Sequence, residues 1–406
     1  MMTMSVRADP DNNSSHRPEY DGRSVALPRI DLLEPGDILL TSNRVSEDRK
    51  GLKQSDAIRR VTRGRFSHAL ICSSPPVFVE AIGSGVSTLS LGRCFAHDIA
   101  NVRLLRFPNR EIAQRAAKLA QYEIGRDYSV ARAVRSVFPL DVLDRIDDHG
   151  IFCSALVAQV FSAAGAESFE RVPIDRTTPA TIDGIDGLDD LTAAVFRSGL
   201  MPNNAENMTA LDGDRAPTLS AKQTQISADC ARALWPQVAD LIASYPEVAL
   251  AAQPAFYSIL KMVTEAIERA DIVAPARRAD YDRAVGALDR ALAAFVAKGE
   301  LVALFEEIAR VDDAMIMRTI AESFEARPDI DLEALRGYVI AGQRQLDDRR
   351  EAIDQWERWG AERSAALELY LPVERLAADA TSRRNAALNE ILARTGRPID
   401  ATSPKS

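Results

Sequence analysis

Gly150-Ile151-Phe152-Cys153-Ser154-Ala155-Leu156-Val157 is the stretch on which the reading of this chain turns. Its cysteine opens a segment that carries Leu156, Val157, Val160 and Phe161 at helical spacing and is closed by Gly165. The pattern predicts a thiol at a helix N-terminus, where unpaired N–H groups and the helix dipole favour a thiolate. A cysteine nucleophile needs that lowered pKa, and the same N–H groups stabilise an oxyanion. A buried cysteine that merely fills space fits the pattern too.

A thiolate nucleophile needs a base. His68 sits in Arg65-Phe66-Ser67-His68-Ala69-Leu70-Ile71-Cys72, which reads as a strand with largely apolar neighbours. A histidine there is more often a core residue than a base. The other three histidines are weaker candidates: His16 lies in a polar leader, His97 in a loop-like run, and His149 in a polar turn. The base in turn needs a group to orient it. Glu80 in Val77-Phe78-Val79-Glu80-Ala81 is an acid inside an apolar run, and a carboxylate is costly to bury without a partner. A hairpin across Ser73-Ser74-Pro75-Pro76 would put His68 and Glu80 on one face within hydrogen-bond reach. The competing placements of Glu80 are a strand end in water and an ion pair with Arg65.

Working outward, short β-like runs are expected at 37–40, 66–72, 77–81, 86–89 and 102–107, broken by Gly and Pro. Helices are expected at 55–62, from an Asn109 cap to Gly125, and from Cys153 onward. Clustered strands with helices around them indicate an α+β fold. Residues 1–28 are polar and expected to be a disordered leader. Residues 29–215 are expected to form the first domain, with a proline-rich irregular stretch from 166 to about 220. Residues 221–398 read as an all-α domain, with helices at 227–244, 254–270, 278–298, 299–326, 331–370 and 373–395. Pro372 is expected to break or kink the last pair, and the amphipathic 331–370 segment has a coiled-coil-like character.

The chain has 406 residues, 46% apolar and 27% charged, enough apolar content to fill a sizeable core. Fifty basic and fifty-nine acidic side chains give a formal charge of −9. That balance lacks the broad basic footprint of a nucleic-acid binder, so no nucleic-acid partner is expected. The four cysteines and four histidines show neither C-x-x-C nor His-x₃-His spacing, so no metal and no cofactor are expected, nor a disulfide framework. No apolar run approaches the length of a transmembrane segment, and residues 1–24 contain no signal-type apolar region. The default expectation is a cytoplasmic protein, with secretion that needs no cleaved signal left open.

In order along the chain come Gly36-Asp37-Ile38-Leu39, Phe66-Ser67-His68-Ala69, Val79-Glu80-Ala81, Gly125-x-x-Tyr128 and Phe152-Cys153-Ser154-x-Leu156-Val157. This series resembles the circularly permuted papain-like cysteine hydrolases, the YiiX-like branch of the NlpC-type cell-wall peptidase superfamily. The resemblance covers about residues 30–170. The histidine strand precedes the cysteine helix, which is the permuted order. The resemblance implies an antiparallel sheet with packed helices, Cys153 as nucleophile, His68 as base and Glu80 as orienting residue. It also implies that Tyr128 lies at the oxyanion or substrate site, while Asp37 reads as structural. The implied activity is amidase- or peptidase-type hydrolysis of a peptide or lipid-derived amide or ester through a Cys thioester. A lipid-directed acyltransferase or thioesterase would use the same triad. A non-catalytic interaction protein, docking a partner or self-associating through its helical half, is the reading from a different class. Ala155 departs from the polar residue often found two positions after the nucleophile. The insertion between Tyr128 and Cys153, with Arg132, Arg135, Phe138 and Leu140, reads as a packed helix, a lid or an acyl-chain groove.

Overall fold

A computed structural model describes residues 20–42, 64–83, 85–129, 150–202, 208–213, 219–307, 309–310 and 328–394. The strands are β1 (Tyr20–Pro28), β2 (Ile38–Thr41), β3 (His68–Ser74), β4 (Val77–Ile82), β5 (Gly85–Ser90), β6 (Cys94–Phe95), β7 (Val102–Arg106), β8 (Asp189–Asp190), β9 (Phe196–Pro202) and β10 (Thr209–Ala210). Six of them form one sheet in the order β5-β4-β3-β2-β7-β8, with every neighbouring pair antiparallel. The long helices are α1 (Arg110–Tyr122), α2 (Cys153–Ala163), α3 (Leu219–Ser244), α4 (Phe256–Glu268), α5 (Pro275–Val296), α6 (Pro328–Trp359) and α7 (Ala365–Arg394). The architecture is α+β, with an antiparallel sheet and packed helices followed by a helical region.

Strand alternation sets the two faces of the sheet. Ile38, Leu40, Ala69, Ile71, Val79 and Ala81 face one core, which α1 and α2 cover. Leu39, Leu70, Cys72, Phe78 and Leu104 face the other, against Leu33, Val195 and Ala341 of α6. Helix α1 begins where Asn109 accepts hydrogen bonds from the N–H groups of Glu111 and Ile112. It buries the small face of Ala113, Ala116, Ala117 and Ala120. Gly36, at φ +88, enters β2 so close to α1 that a Cβ would stand 2.5 Å from the Ala113 carbonyl oxygen.

Several expectations are corrected. The 1–28 leader gives way to strand β1, which pairs antiparallel with β9; residues 1–19 lie outside the described residues. A polar segment becomes ordered here because its ladder partner lies far along the chain, where no local pattern shows it. The irregular 166–220 stretch carries β8, β9, β10 and short helices at Glu167–Glu170, Pro179–Asp183 and Thr192–Val195. The expected 55–62 helix and the insertion between Tyr128 and Cys153 fall on residues outside those described. The last two helices are separated at Gly360, at φ +88, and Pro372 lies inside α7. The start of α7 is set by Asp289, whose carboxylate accepts from the Ala365 and Ala366 N–H groups and the Ser364 hydroxyl.

The helical half has its own core around Phe256, Tyr281, Leu292 and Tyr370. It docks on the sheet through bonds from Thr224 to the Val86 carbonyl and from Ser227 to the Ile124 carbonyl. Gly125, at φ +91, admits this approach: a Cβ there would stand 2.0 Å from the Ser227 side chain. Among the described residues, no helix is long and apolar enough to cross a membrane.

Candidate active site

Helix α2 starts at Cys153, with Phe152 in extended conformation before it. The first intrahelical bond runs from the Leu156 N–H to the Phe152 carbonyl, 2.9 Å, so the N–H groups of the first turn point out of the helix. Two contacts anchor this end. The Ser154 hydroxyl donates to the Thr177 carbonyl at 2.8 Å. The preceding backbone pairs with the Tyr128 segment, the Ile151 N–H reaching the Asp127 carbonyl at 2.9 Å.

His68 opens β3 and Glu80 lies in β4. The register pairs Leu70 with Glu80, which makes His68 a diagonal neighbour of Glu80 on the same side of the hairpin. His68 Nε2 donates to Glu80 Oε2 at 2.8 Å. Arg65, the rival partner for Glu80, instead donates to the Ala100 carbonyl. With Nε2 committed to Glu80, Nδ1 is the ring nitrogen left for the Cys153 sulfur, with which His68 is hydrogen-bonded.

A feature that sequence reasoning missed is the Ala69 N–H. The β3–β4 ladder ends at Leu70–Glu80, one pair short of the Ala69–Ala81 position. The Ala69 N–H bonds to the Cys153 sulfur instead, together with the Ser154 N–H. No residue-type signal exists for a backbone donor released by a ladder's end.

Burial opposes a thiolate at Cys153, which is 5% exposed. The His68 charge, its hydrogen bond and the two N–H groups overcome this and hold the thiol below its ordinary value. At His68 burial favours the neutral ring, but the charge and hydrogen bonding of Cys153, and then Glu80, raise the imidazole to about 9. Both shifts favour the thiolate–imidazolium form of the pair over the neutral one. Elsewhere burial dominates: the Cys72 thiol is raised well above its ordinary value and Cys230 is pushed up to about 12.

Tyr128 is held near the sulfur; burial, and then the Cys153 charge, push its phenol upward, so it stays a neutral donor. A closed ring of polar groups supports it. Arg126 donates to Glu123 at 2.8 Å and to Gln159 of α2 at 3.2 Å, and Gln159 donates back to Glu123 at 3.1 Å. The ring ties α2 to the segment that carries Tyr128.

The remaining candidates fall elsewhere. Asp37 is bound by Arg106 through two bonds, 2.7 and 2.8 Å, and has the structural position expected of it. His97 bonds to buried Asp212 at 2.8 Å, in a knot that also takes in Asn101. His16 and His149 lie outside the described residues. Among the described residues, no three His, Cys, Asp or Glu side chains are grouped to hold a metal ion. Compared with known proteins, the chain matches no family model, no curated protein and no solved structure.

Proposed function

We propose that the protein is a thiol hydrolase of permuted papain-like type that cleaves an amide or ester by acyl transfer through Cys153. The observation that carries this reading is the imidazole of His68, held between Glu80 and a cysteine at the N-terminus of an apolar helix. Space-filling cysteines have no reason to sit against an imidazole backed by a buried carboxylate.

The thiolate of Cys153 attacks the carbonyl carbon, and the oxyanion so formed is met by the helix N–H groups and the Tyr128 hydroxyl. His68, protonated at rest, passes its Nδ1 proton to the leaving amine or alcohol. Glu80 keeps the ring oriented and favours its charged form. Water then resolves the thioester. Peptides of cell-wall type and lipid amides both present such a carbonyl. A lipid-directed acyltransferase or thioesterase would run the same first step with a different acceptor.

Competition labelling tests the proposal. Limiting iodoacetamide near neutral pH should alkylate Cys153 well before Cys72, Cys94 and Cys230, and Cys153 should be acetylated by p-nitrophenyl acetate. Labelling of Cys153 no faster than Cys230, with no acetyl adduct, leaves a non-catalytic interaction protein as the reading.

A further inference from the structure

Thr41 ends β2 directly opposite His68 in the β2–β3 register. Directly opposed residues of an antiparallel pair send their side chains to the same side, with Cβ atoms about 4.5–5.5 Å apart. The His68 ring is therefore flanked by Glu80 from β4 and by Thr41 from β2. Thr41 is completely buried, and its hydroxyl has no hydrogen-bond partner among the described residues.

Such a group calls for an explanation. A buried hydroxyl without a partner carries the full cost of its desolvation, and a valine would fill the same volume without that cost. The imidazole cannot satisfy it at rest, because Nε2 is bonded to Glu80 and Nδ1 faces the Cys153 sulfur. The situation changes once the sulfur is acylated. The imidazole has then given its proton to the leaving group, and Nδ1 has lost its thiolate partner. It needs a donor on the side where the sulfur stood.

We propose that Thr41 is a positioning residue for deacylation, its hydroxyl holding the attacking water against His68. This rests on the acyl-transfer reading above. In the step, the water oxygen bonds to the thioester carbonyl carbon while its proton passes to Nδ1. The C–S bond then breaks, the acid leaves, and the thiolate again faces the imidazolium. A hydroxyl idle in the resting pair but engaged in the second transition state acts on one half-reaction only.

Stopped-flow hydrolysis of p-nitrophenyl acetate by the full chain separates the halves: the burst of nitrophenolate reports acylation and the steady state reports deacylation. In Thr41→Val the burst rate should stay within about twofold of wild type. The steady state should fall roughly tenfold, the scale of one lost hydrogen bond. Intact mass should then show an acetyl group accumulating on Cys153. Thr41→Ser should restore turnover, and Thr41→Ala should repeat the valine result if that variant folds poorly. Equal slowing of both phases would make Thr41 merely structural and overturn the inference, as would unchanged turnover. A wild-type protein that neither releases nitrophenolate nor acquires an acetyl group on Cys153 would instead bring down the hydrolase reading itself.

Discussion

Asp37 and Glu80 are both buried carboxylates on the central sheet, 1% and 2% exposed, yet their partners differ in kind. Asp37 sits just before β2, where burial raises its pKa and the Arg106 guanidinium, bound through two bonds, opposes that rise. The Glu34 N–H adds a third bond at 2.8 Å. Guanidinium does not titrate near neutral pH, so this end of the sheet holds one fixed arrangement of charge. Glu80 lies toward the other end and meets an imidazole, whose second nitrogen meets a thiol. Imidazole and thiol, unlike guanidinium, both exchange protons in the physiological range. The same kind of buried acid is held by a fixed charge at one end and by a titratable imidazole at the other.

The largest expected difference is functional. His68→Ala should cut acyl transfer by about a thousandfold, the scale of a lost acid–base group. It should also abolish rapid alkylation of Cys153 while the protein remains folded, although Glu80 loses its imidazole partner. A large loss of stability would mean that this end is a structural pin as well.

Arg106→Leu should do the opposite. It leaves the Asp37 charge buried and unpaired, at a cost of about 3–5 kcal/mol in urea unfolding. Turnover per folded molecule should hold. A drop in turnover without a drop in stability would erase the distinction between the two ends.

Glu80→Gln keeps a hydrogen-bond acceptor but removes the charge. Turnover should fall roughly tenfold to a hundredfold, less than for His68→Ala. The pH profile carries the sign. In the wild type, acyl transfer should decline as pH rises through about 9, where His68 loses its proton. Alkylation of the thiolate should not decline there, since deprotonating His68 leaves the sulfur anionic. With Glu80 neutralised, the imidazolium loses a favourable charge and the alkaline limb should move to lower pH. A limb that stays in place would show that Glu80 does not tune His68.

The smallest effect belongs to the Asp37 end. Asn109→Ala removes the cap of α1, which packs against Gly36, and should cost about 1 kcal/mol with activity unchanged. Altered activity would couple this helix end to the site.

Much of the local structure was legible. Asn109 marked the start of α1, and Gly125, at φ +91, turns the chain three residues past its end, one position beyond the expected cap, because capping is a matter of neighbouring dihedrals and hydrogen bonds. Alternation marked the strands that became β2 to β5 and β7 to within about two residues. The partnership of His68 with Glu80 was legible too, since the two lie on one hairpin with a short connection. Pro372 misled, because in this chain Gly360 and the Asp289 carboxylate, a long-range partner, decide where the last helix starts. The strand at Tyr20–Pro28 was missed for the same reason: its order comes from β9.

By itself the sequence determined periodicity, caps and the position of Cys153 at the head of an apolar helix, all set by residues a few positions apart. Only the tertiary structure decided what faces the thiol. The approach of α2 to β3, the ladder that stops at Leu70–Glu80 and the Thr41–His68 register join residues from separate segments. Their proton affinities follow from burial and from charges brought within reach, and neither exists until the chain has packed.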